Sequence, residues 1–397
     1  MTRPILYLDI SRLVRRYEHF GGPTGMDRIE WAYLTRLFRQ DRMEPRAVAR
    51  SRDGLVVLRE DAARTVLSTM NARWGEATPR QFGRNSASAL VHGARVAKSR
   101  MGRWSLLKGA RPLVHEGRPS VTLNVAHDGL DVASRFSALP GAFAVLVSDL
   151  IPLTHPEYDT ERATALHGAR MATVAKHADH VFTISEATRQ ALLAHLGPVR
   201  FSHSVAHLGP ALAMPDDPIV YERPTFVHLS SLDRRKNVAL LLHTWREMAE
   251  SGWCPDLVLI GRRGNDGTVL EMIDRCTALD PHVRVLGGVS DRDAARHLAG
   301  ARALLSASFA EGYGLPIVEA QAFGVPAIAS DIAAHREIGG ASTLFLDPTD
   351  GPSWRKTIER LARDDEAHAR LVNAIVPPHS WDDHVAKVMA QVEGLAR

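Results

Sequence analysis

Along the chain, short apolar runs alternate with longer segments whose apolar residues recur every three or four positions. That alternation predicts parallel strands joined by crossover helices. Strands are predicted at residues 5–10, 55–58, 121–125, 143–147 and 181–184, and helices at 25–38, 161–177 and 186–195. A stretch with Pro210, Pro215, Pro218 and Pro224 and no clear period follows, which predicts an interdomain linker over residues 209–224. A second alternation begins at Phe226. Its strands are predicted at 226–229, 257–260, 283–286, 303–305 and 327–329, with helices such as 238–249 and 291–298 between them. Residues 381–395 have helical spacing. The fold class is therefore α/β, with two open parallel-sheet domains. Sheets of this kind bind ligands at the carboxyl ends of their strands.

Length supports the same division, because 397 residues exceed what one ordinary core holds. Hydrophobic content of 45% and charged content of 24% are those of a globular protein. Two cysteines, Cys254 and Cys276, make no disulfide or metal framework, which suits a reducing cytoplasm. The apolar run Ile5-Leu-Tyr-Leu8 is cut off by Asp9 and predicts a first strand, not a signal peptide. No apolar run approaches the ~18 residues needed to span a bilayer. The net charge of +4 is unevenly spread. Residues 77–115 hold no Asp or Glu but carry Arg80, Arg84, Arg95, Lys98, Arg100, Arg103, Lys108 and Arg111. Such a segment suits contact with an anionic membrane surface or an acceptor, and equally a solvated loop. Neither an RNA-binding aromatic signature nor a DNA-reading motif accompanies it, so nucleic acid is not the expected partner.

The densest chemistry lies at Glu311-Gly-Tyr-Gly-Leu-Pro-Ile-Val-Glu319-Ala320. An apolar run precedes it, a glycine turn opens it, and Pro316 favours a helix start. A strand, a glycine turn and a helix N-terminus present backbone N–H groups to an anion. Glu311 and Glu319 flank that turn and can accept hydrogen bonds from sugar hydroxyls. Phosphate and hydroxyls together point to a sugar nucleotide. Upstream, Ser230-Ser-Leu-Asp-Arg-Arg-Lys-Asn237 follows the first strand of the second domain. Arg235 gives bidentate contacts and Lys236 a point charge, which together can neutralise a diphosphate. Glycine turns follow two more predicted strands, at Gly261 and at Gly287-Gly-Val289. The Asp291-Arg-Asp293 triplet has the spacing of a metal motif, but it directly precedes a helical run, so helix capping is the expectation and no metal is.

In the first domain, Gly21-Gly-Pro-Thr-Gly25-Met-Asp-Arg28 follows the first strand and opens a helix. Glycine there permits close backbone approach. His127 ends a predicted strand and is read either as a cleft residue or as a hydrogen-bonded structural histidine. His203 and His207 fall on an extended segment, ~13 Å apart, too far for one metal. Ser185 opens the helix at 186 and suits an N-cap.

The 311–320 string resembles the E-x7-E motif of family-4-type retaining glycosyltransferases, which have the two-domain GT-B fold. Gln321-Ala-Phe-Gly-Val-Pro-Ala-Ile-Ala-Ser-Asp331 and Glu337-Ile-Gly-Gly follow as they do in that family. The 230–237 string is similar to its G-T-L-x-P-R-K-N segment, with Ser230 in place of Gly and Arg234 in place of Pro. Gly21–Arg28 resembles its T-G-I-x-R loop. Asp149-Leu-Ile-Pro-Leu-Thr-His-Pro-Glu-Tyr158 resembles a D-L-I-P-L-x-H-P-E segment of one group of these transferases, with Ser148 where that group often has His.

The resemblance implies a GT-B chain whose residues 1–212 form the acceptor-side Rossmann-like domain. Residues 213–378 would bind the nucleotide sugar, and the helix at 379–397 would cross back to the first domain. It implies Glu311 near the donor sugar and Glu319 on the ribose. Arg235 and Lys236 would hold the diphosphate, with Gly312, Tyr313, Gly314 and Leu315 supplying amides. Gly261 and Val289 would line the nucleotide pocket, with Gly25 near the donor. The catalytic set implied is Glu311, Lys236 and Arg235, with His127 a further candidate. The activity implied is retaining, metal-independent transfer of a sugar, mannose from a GDP donor first, otherwise from UDP. The acceptor would be a saccharide, lipid-linked, at the cytoplasmic membrane face in surface polysaccharide assembly. No cofactor or metal is expected. Two other readings stay open: a sugar-nucleotide epimerase of the same fold, and a non-catalytic binding protein.

Overall fold

The computed structural model describes residues 3–17, 23–52, 54–75 and 105–396. Most of the basic segment at 77–115 therefore lies outside the described residues, as do Gly21 and Gly22. Lys108 and Arg111, its described cations, are exposed.

The chain divides into two compact units, with the boundary between Leu208 and Gly209. The first also holds the helix Trp381–Leu395, and the second runs over Gly209–Ser380. In the first unit the strands are β1 (Ile5–Asp9), β2 (Glu44–Arg50), β3 (Leu55–Val57), β4 (Arg111–Pro112), β5 (Ser120–Asn124), β6 (Ala142–Val147), β7 (His180–Thr183) and β8 (Ser202–Val205). They form one sheet in the order β4-β3-β2-β1-β5-β6-β7-β8. All neighbours pair in parallel except β2 with β3 and β3 with β4. The second unit holds β9 (Thr225–Leu229), β10 (Asp256–Ile260), β11 (Val283–Leu286), β12 (Ala303–Ser306), β13 (Ala327–Ser330) and β14 (Thr343–Leu346). Their order is β11-β10-β9-β12-β13-β14, all parallel.

Both faces of the second sheet are covered, which explains why its strands read as continuous apolar runs. Phe226, Leu257, Leu259, Ala303, Leu305 and Ile328 pack into one core with Trp245, Ile358 and Trp354. Their neighbours Val227, Val258, Ile260, Leu304, Ala327 and Ala329 pack into another with Leu298, Ile317 and Phe323. Successive side chains thus enter opposite cores, as the pleat requires.

Several elements differ from expectation for identifiable reasons. The strand β2 was not predicted, because Pro45, Arg46 and Arg50 break its apolar run. It forms because Ala47, Val48 and Ala49 are buried beside β1, with Leu8 opposite Ala47. Residues 209–224 carry no helix or strand, but they are tied to the second unit rather than free. The Ile219 N–H donates to Arg296 O at 3.1 Å, Asp217 pairs with Arg296 at 3.2 Å, and Leu212 joins the second core. Pro316 takes the second position of the helix Leu315–Ala322 rather than the first. As expected, Ser185 is the N-cap of Glu186–Leu196 and accepts from Thr188 N.

Within the first unit, the helix Trp381–Leu395 is fastened by polar contacts as well as by burial of Trp381, Val388 and Val392. His384 Nδ1 lies 3.1 Å from Ala206 O and 3.0 Å from His207 O, so that nitrogen carries the proton. Its Nε2 then accepts from the Tyr33 hydroxyl at 2.6 Å. Burial holds the His384 pKa down to about 4, which keeps the ring neutral and this tautomer in place.

Candidate functional site: the strand ends at the two switch points

In each sheet the chain leaves a central strand first to one side and later to the other. The switch falls between β1 and β5 in the first unit and between β9 and β12 in the second. Crevices at such points, outside the carboxyl ends of the strands, are where open α/β sheets bind ligands.

In the second unit the loops after β9 and β12 meet. Residues Arg234–Lys236 form a 3-10 turn that ends at Asn237, whose backbone is left-handed at φ 54°. Asn237 Nδ2 donates to Pro348 O at 2.8 Å, which fixes this turn. The Phe309 N–H donates to Arg235 O at 2.9 Å, and the Arg235 guanidinium donates to Ala310 O. These bonds bring both cations onto Glu311. Lys236 Nζ lies 2.5 Å from Glu311 Oε1, Ser308 Oγ donates to the same oxygen at 2.7 Å, and Arg235 Nη1 lies 2.9 Å from Oε2.

The cluster is nearly dry: the side chains of Glu311, Lys236 and Arg235 are 11%, 12% and 22% exposed. Burial alone would raise the Glu311 pKa, but Arg235 and Lys236 outweigh it and hold the carboxyl well below the usual range. Burial also lowers Lys236, with Glu311 opposing. Two cations meet one carboxylate, so the cluster carries a surplus positive charge.

Two buried histidines lie near it, and neither was singled out from the sequence. His228 Nδ1 donates to Leu305 O at 3.0 Å, and its Nε2 accepts from Ser230 Oγ at 2.8 Å. His335 Nδ1 donates to Ser330 O at 3.0 Å. Desolvation lowers both, His228 to about 4, so both rings are neutral spacers. Their signal was a polar residue inside an otherwise apolar strand for His228, and for His335 none short of the fold.

Gly314 caps the helix Leu315–Ala322 at φ 112°, and a Cβ there would sit 2.9 Å from Ile338 Cδ1 and 3.1 Å from His335 Cδ2. Gly261 is tighter still, because a Cβ would lie 1.9 Å from Ser230 O. Glycine is therefore needed at Gly261 so that the ends of β9 and β10 can approach. Tyr313 and Glu319 are buried, Gly312 and Leu315 half-buried, and Val289 half-buried beyond the exposed Gly287-Gly288 turn. Glu319 lies in the second turn of the helix Leu315–Ala322. The Asp291-Arg-Asp293 triplet opens the helix Asp291–Ala299, but Ser290 is its cap, accepting from Asp293 N at 3.0 Å and donating to Asp293 Oδ2 at 2.7 Å. Among the described residues, no group of three or more His, Cys, Asp or Glu could hold a metal ion.

In the first unit the loops after β1 and β5 meet in the same way. Asp9, the last residue of β1, accepts from Ser11 N at 2.9 Å and Asn124 Nδ2 at 2.8 Å. Glu30 accepts from Leu13 N at 2.9 Å. Burial raises both carboxyls, Glu30 strongly and with a further push from the Asp9 charge. Asp128 is ringed by Arg15 at 2.7 Å, Arg50 at 2.8 Å and Arg170 at 3.8 Å. Burial would raise it, but Arg50 and Arg15 hold it low. Asp27 forms a capping box with Thr24 and pairs with Arg12 at 2.6 Å. None of Asp9, Glu30, Asp128 and their arginines was anticipated from sequence.

Gly25 is the exposed first residue of the helix Gly25–Leu37. It has no positive φ, so its backbone conformation does not require glycine. His127 is 7% exposed, with its backbone at φ 36°. Neither ring nitrogen has a hydrogen-bond partner among the described residues, and the ring stands edge-on to His167 with centroids 5.2 Å apart. Burial and His167 lower it to about 3, so it is neutral. Among the described residues, no hydrogen bond supports the reading of a hydrogen-bonded structural histidine. His203 lies in β8 and His207 beyond its end, in no shared metal site.

Residues 223–364 match the family model described as Glycosyl transferases group 1. The serotype-specific mannosyltransferase WbdA of Escherichia coli is 27% identical over 257 residues, which are 59% of this chain and 32% of WbdA. The O-antigen chain mannosyltransferase B of Escherichia coli is 33% identical over 141 residues, 35% of this chain and 37% of that protein. The matched stretch thus spans only about a third of the length of these relatives. Among solved structures, Anabaena Alr3699/HepE in complex with UDP-glucose has a TM-score of 0.63 at 16% identity, over 98% of this chain and 99% of that one. Sucrose-phosphate synthase from Thermosynechococcus elongatus has a TM-score of 0.62 at 16% identity, over 99% of each chain. The fold is GT-B, and residues 223–364 of the second unit are similar to group 1 glycosyl transferases.

Proposed function

We propose that the chain is a retaining, metal-independent glycosyltransferase. It moves a sugar, with mannose the first candidate, from a nucleoside diphosphate donor to a saccharide acceptor in surface polysaccharide assembly. The observation that carries this reading is the convergence of Arg235 and Lys236 on Glu311 at the β9–β12 switch point. The names of the mannosyltransferase relatives support the sugar and the setting.

The chemistry follows from the charges. The bond between the anomeric carbon and the diphosphate oxygen breaks, and the leaving group keeps the electron pair. Arg235 and Lys236 meet the charge that develops there, with the amides of Gly312–Leu315 beside them. Donors already fixed in place need no reorganisation at that moment. The acceptor hydroxyl bonds to the same face of the sugar and gives its proton to a donor phosphate oxygen. Glu311, ionised and acceptor-only, orients the sugar hydroxyls and does not attack. Glu319 takes the ribose, and Gly261 and Val289 border the nucleoside; in the first unit, Gly25 and His127 are the candidate binding residues. The acceptor is proposed to be lipid-linked, and the segment 77–115 to touch an anionic membrane at its cytoplasmic face. Among the described residues, no helix is long and apolar enough to cross a membrane.

Thermal melts with GDP, UDP, ADP and their sugar conjugates, with and without EDTA, test the reading. A ligand at 100 times its Kd adds about 2.7 kcal/mol to apparent stability. One nucleotide class is expected to raise the midpoint, with EDTA without effect and Lys236→Ala abolishing the shift. No shift with any nucleotide, alongside salt-dependent binding to duplex DNA or RNA, would sink it.

A further inference from the structure

A cavity of the second unit is lined by none of the loop residues that hold Glu311. It encloses about 390 Å³ between the edge strand β14, the helix Gly351–Arg363 and the helix Asp365–Asn373. That volume is within the range of small-molecule sites, about 300–1,000 Å³. Its apolar wall is Leu344, Leu346, Leu361 and Leu371. Lys356, Arg360 and Arg370 also line it, and no Asp or Glu does.

This composition follows from how the elements pack. The helix Gly351–Arg363 buries Trp354, Ile358, Leu361 and Ala362 against the sheet. The adjacent stripe, Ser353, Lys356, Thr357 and Arg360, has helical spacing and faces the cavity. β14 is the last strand of its sheet, with β13 on one side only. The Asp331 N–H donates to Leu346 O at 2.7 Å, so Leu346 turns its backbone toward β13. Alternation then leaves the N–H and C=O of Phe345, which also lines the cavity, on the open side.

The charges of this rim are not balanced from within. Among the described residues, neither Lys356 nor Arg360 has an ion-pair partner, and they stand at i, i+4, where like charges repel. Arg370 meets Glu366 at 3.5 Å, but that carboxylate is 90% exposed and heavily solvated. Three cations over an apolar wall complement one molecular type: an anionic head on a hydrocarbon chain.

We propose that this cavity binds a single-chain alkyl phosphate. Its phosphate sits among Lys356, Arg360 and Arg370, and its chain lies against Leu344, Leu346, Leu361 and Leu371. None of these residues belongs to the Glu311 cluster, so the proposal stands or falls apart from glycosyl transfer.

Isothermal titration of the full chain with octyl phosphate, below its micelle concentration, tests it. Saturable binding of one equivalent is expected. Charge-assisted contacts make each cation worth on the order of tenfold in affinity, so Lys356→Glu/Arg360→Glu should weaken binding by about a hundredfold or more. Inorganic phosphate and octyl glucoside, each holding half of the chemistry, should bind far more weakly. A cooperative melt of the double variant shows that it folds, and Lys356→Gln carries the same test if it does not. Unchanged affinity in the charge variants overturns the proposal. So does binding of inorganic phosphate or octyl glucoside as tight as that of octyl phosphate.

Discussion

The two units end their central strands alike and poise them oppositely. In the second, the carboxylate at the switch point is Glu311, clasped by Arg235 and Lys236 and held ionised. In the first, Asp9 and Glu30 are buried together and pushed toward protonation, while the arginines gather on Asp128 and Asp27 instead. The contrast shows that topology selects where polar groups collect, and that cation placement decides what they can do. A carboxylate inside a cation pair marks a place for anions. Carboxyls whose burial outweighs the pull of nearby arginines are pushed upward, Glu30 the more strongly.

Lys236→Ala breaks the second cluster at its centre. Loss of about a hundredfold or more in any sugar transfer is expected, read as initial rate against each nucleotide sugar. Activity within threefold of the parent would remove the cluster from the chemistry.

Glu311→Gln should cost on the order of 3 kcal/mol of stability at pH 7, because two nearly dry cations lose their partner. The folded pKa of Glu311 lies below its unfolded value, so its contribution is complete above about pH 4.3 and is lost as pH falls toward the folded value. Urea unfolding at pH 7 and pH 3.5 should therefore show the gap between parent and variant shrinking in acid. A constant gap would mean the ion pair is not its source.

Glu30→Gln should move the other way, gaining roughly 1 kcal/mol at pH 7. Here the folded pKa is raised, so the parent's carboxyl contributes fully below its unfolded pKa and loses that contribution as pH rises through the folded one. The gain should fade below about pH 4. A loss at pH 7 would show that Glu30 is ionised and paired, and the contrast between the units would collapse.

His127→Phe probes the smallest term. The ring makes no hydrogen bond among the described residues, so a near-isosteric apolar ring should cost less than about 1.5 kcal/mol. If stability holds while transfer falls, His127 acts on a bound molecule. If both hold, it is packing.

How much of this was legible beforehand depended on sequence distance. The Glu311 turn and the Arg235–Lys236 pair could be singled out as candidates because each is a contiguous string dense in charge or glycine. Their mutual contact could not be, since Lys236 and Glu311 are 75 positions apart. The same distance hid His228, which meets Leu305 77 positions on, and Asp9, which meets Asn124 115 positions on. Single polar residues in apolar runs look alike until tertiary structure gives them neighbours. Strands buried on both faces were visible as apolar runs, whereas β2, with its proline and arginines, depended on β1 for its identity.

The clasp of His384 on Tyr33 and on the carbonyls of Ala206 and His207 has a consequence for biosynthesis. The helix that fills this position is translated only after the whole second unit. A ribosome therefore releases the two cores out of numerical order: residues 209–380 can close while the earlier unit still waits, one apolar face bare, for its last helix. Premature termination before Trp381 would leave Tyr33 without its acceptor and the first core open, a state prone to aggregation although nothing is missing from the eight-stranded sheet itself.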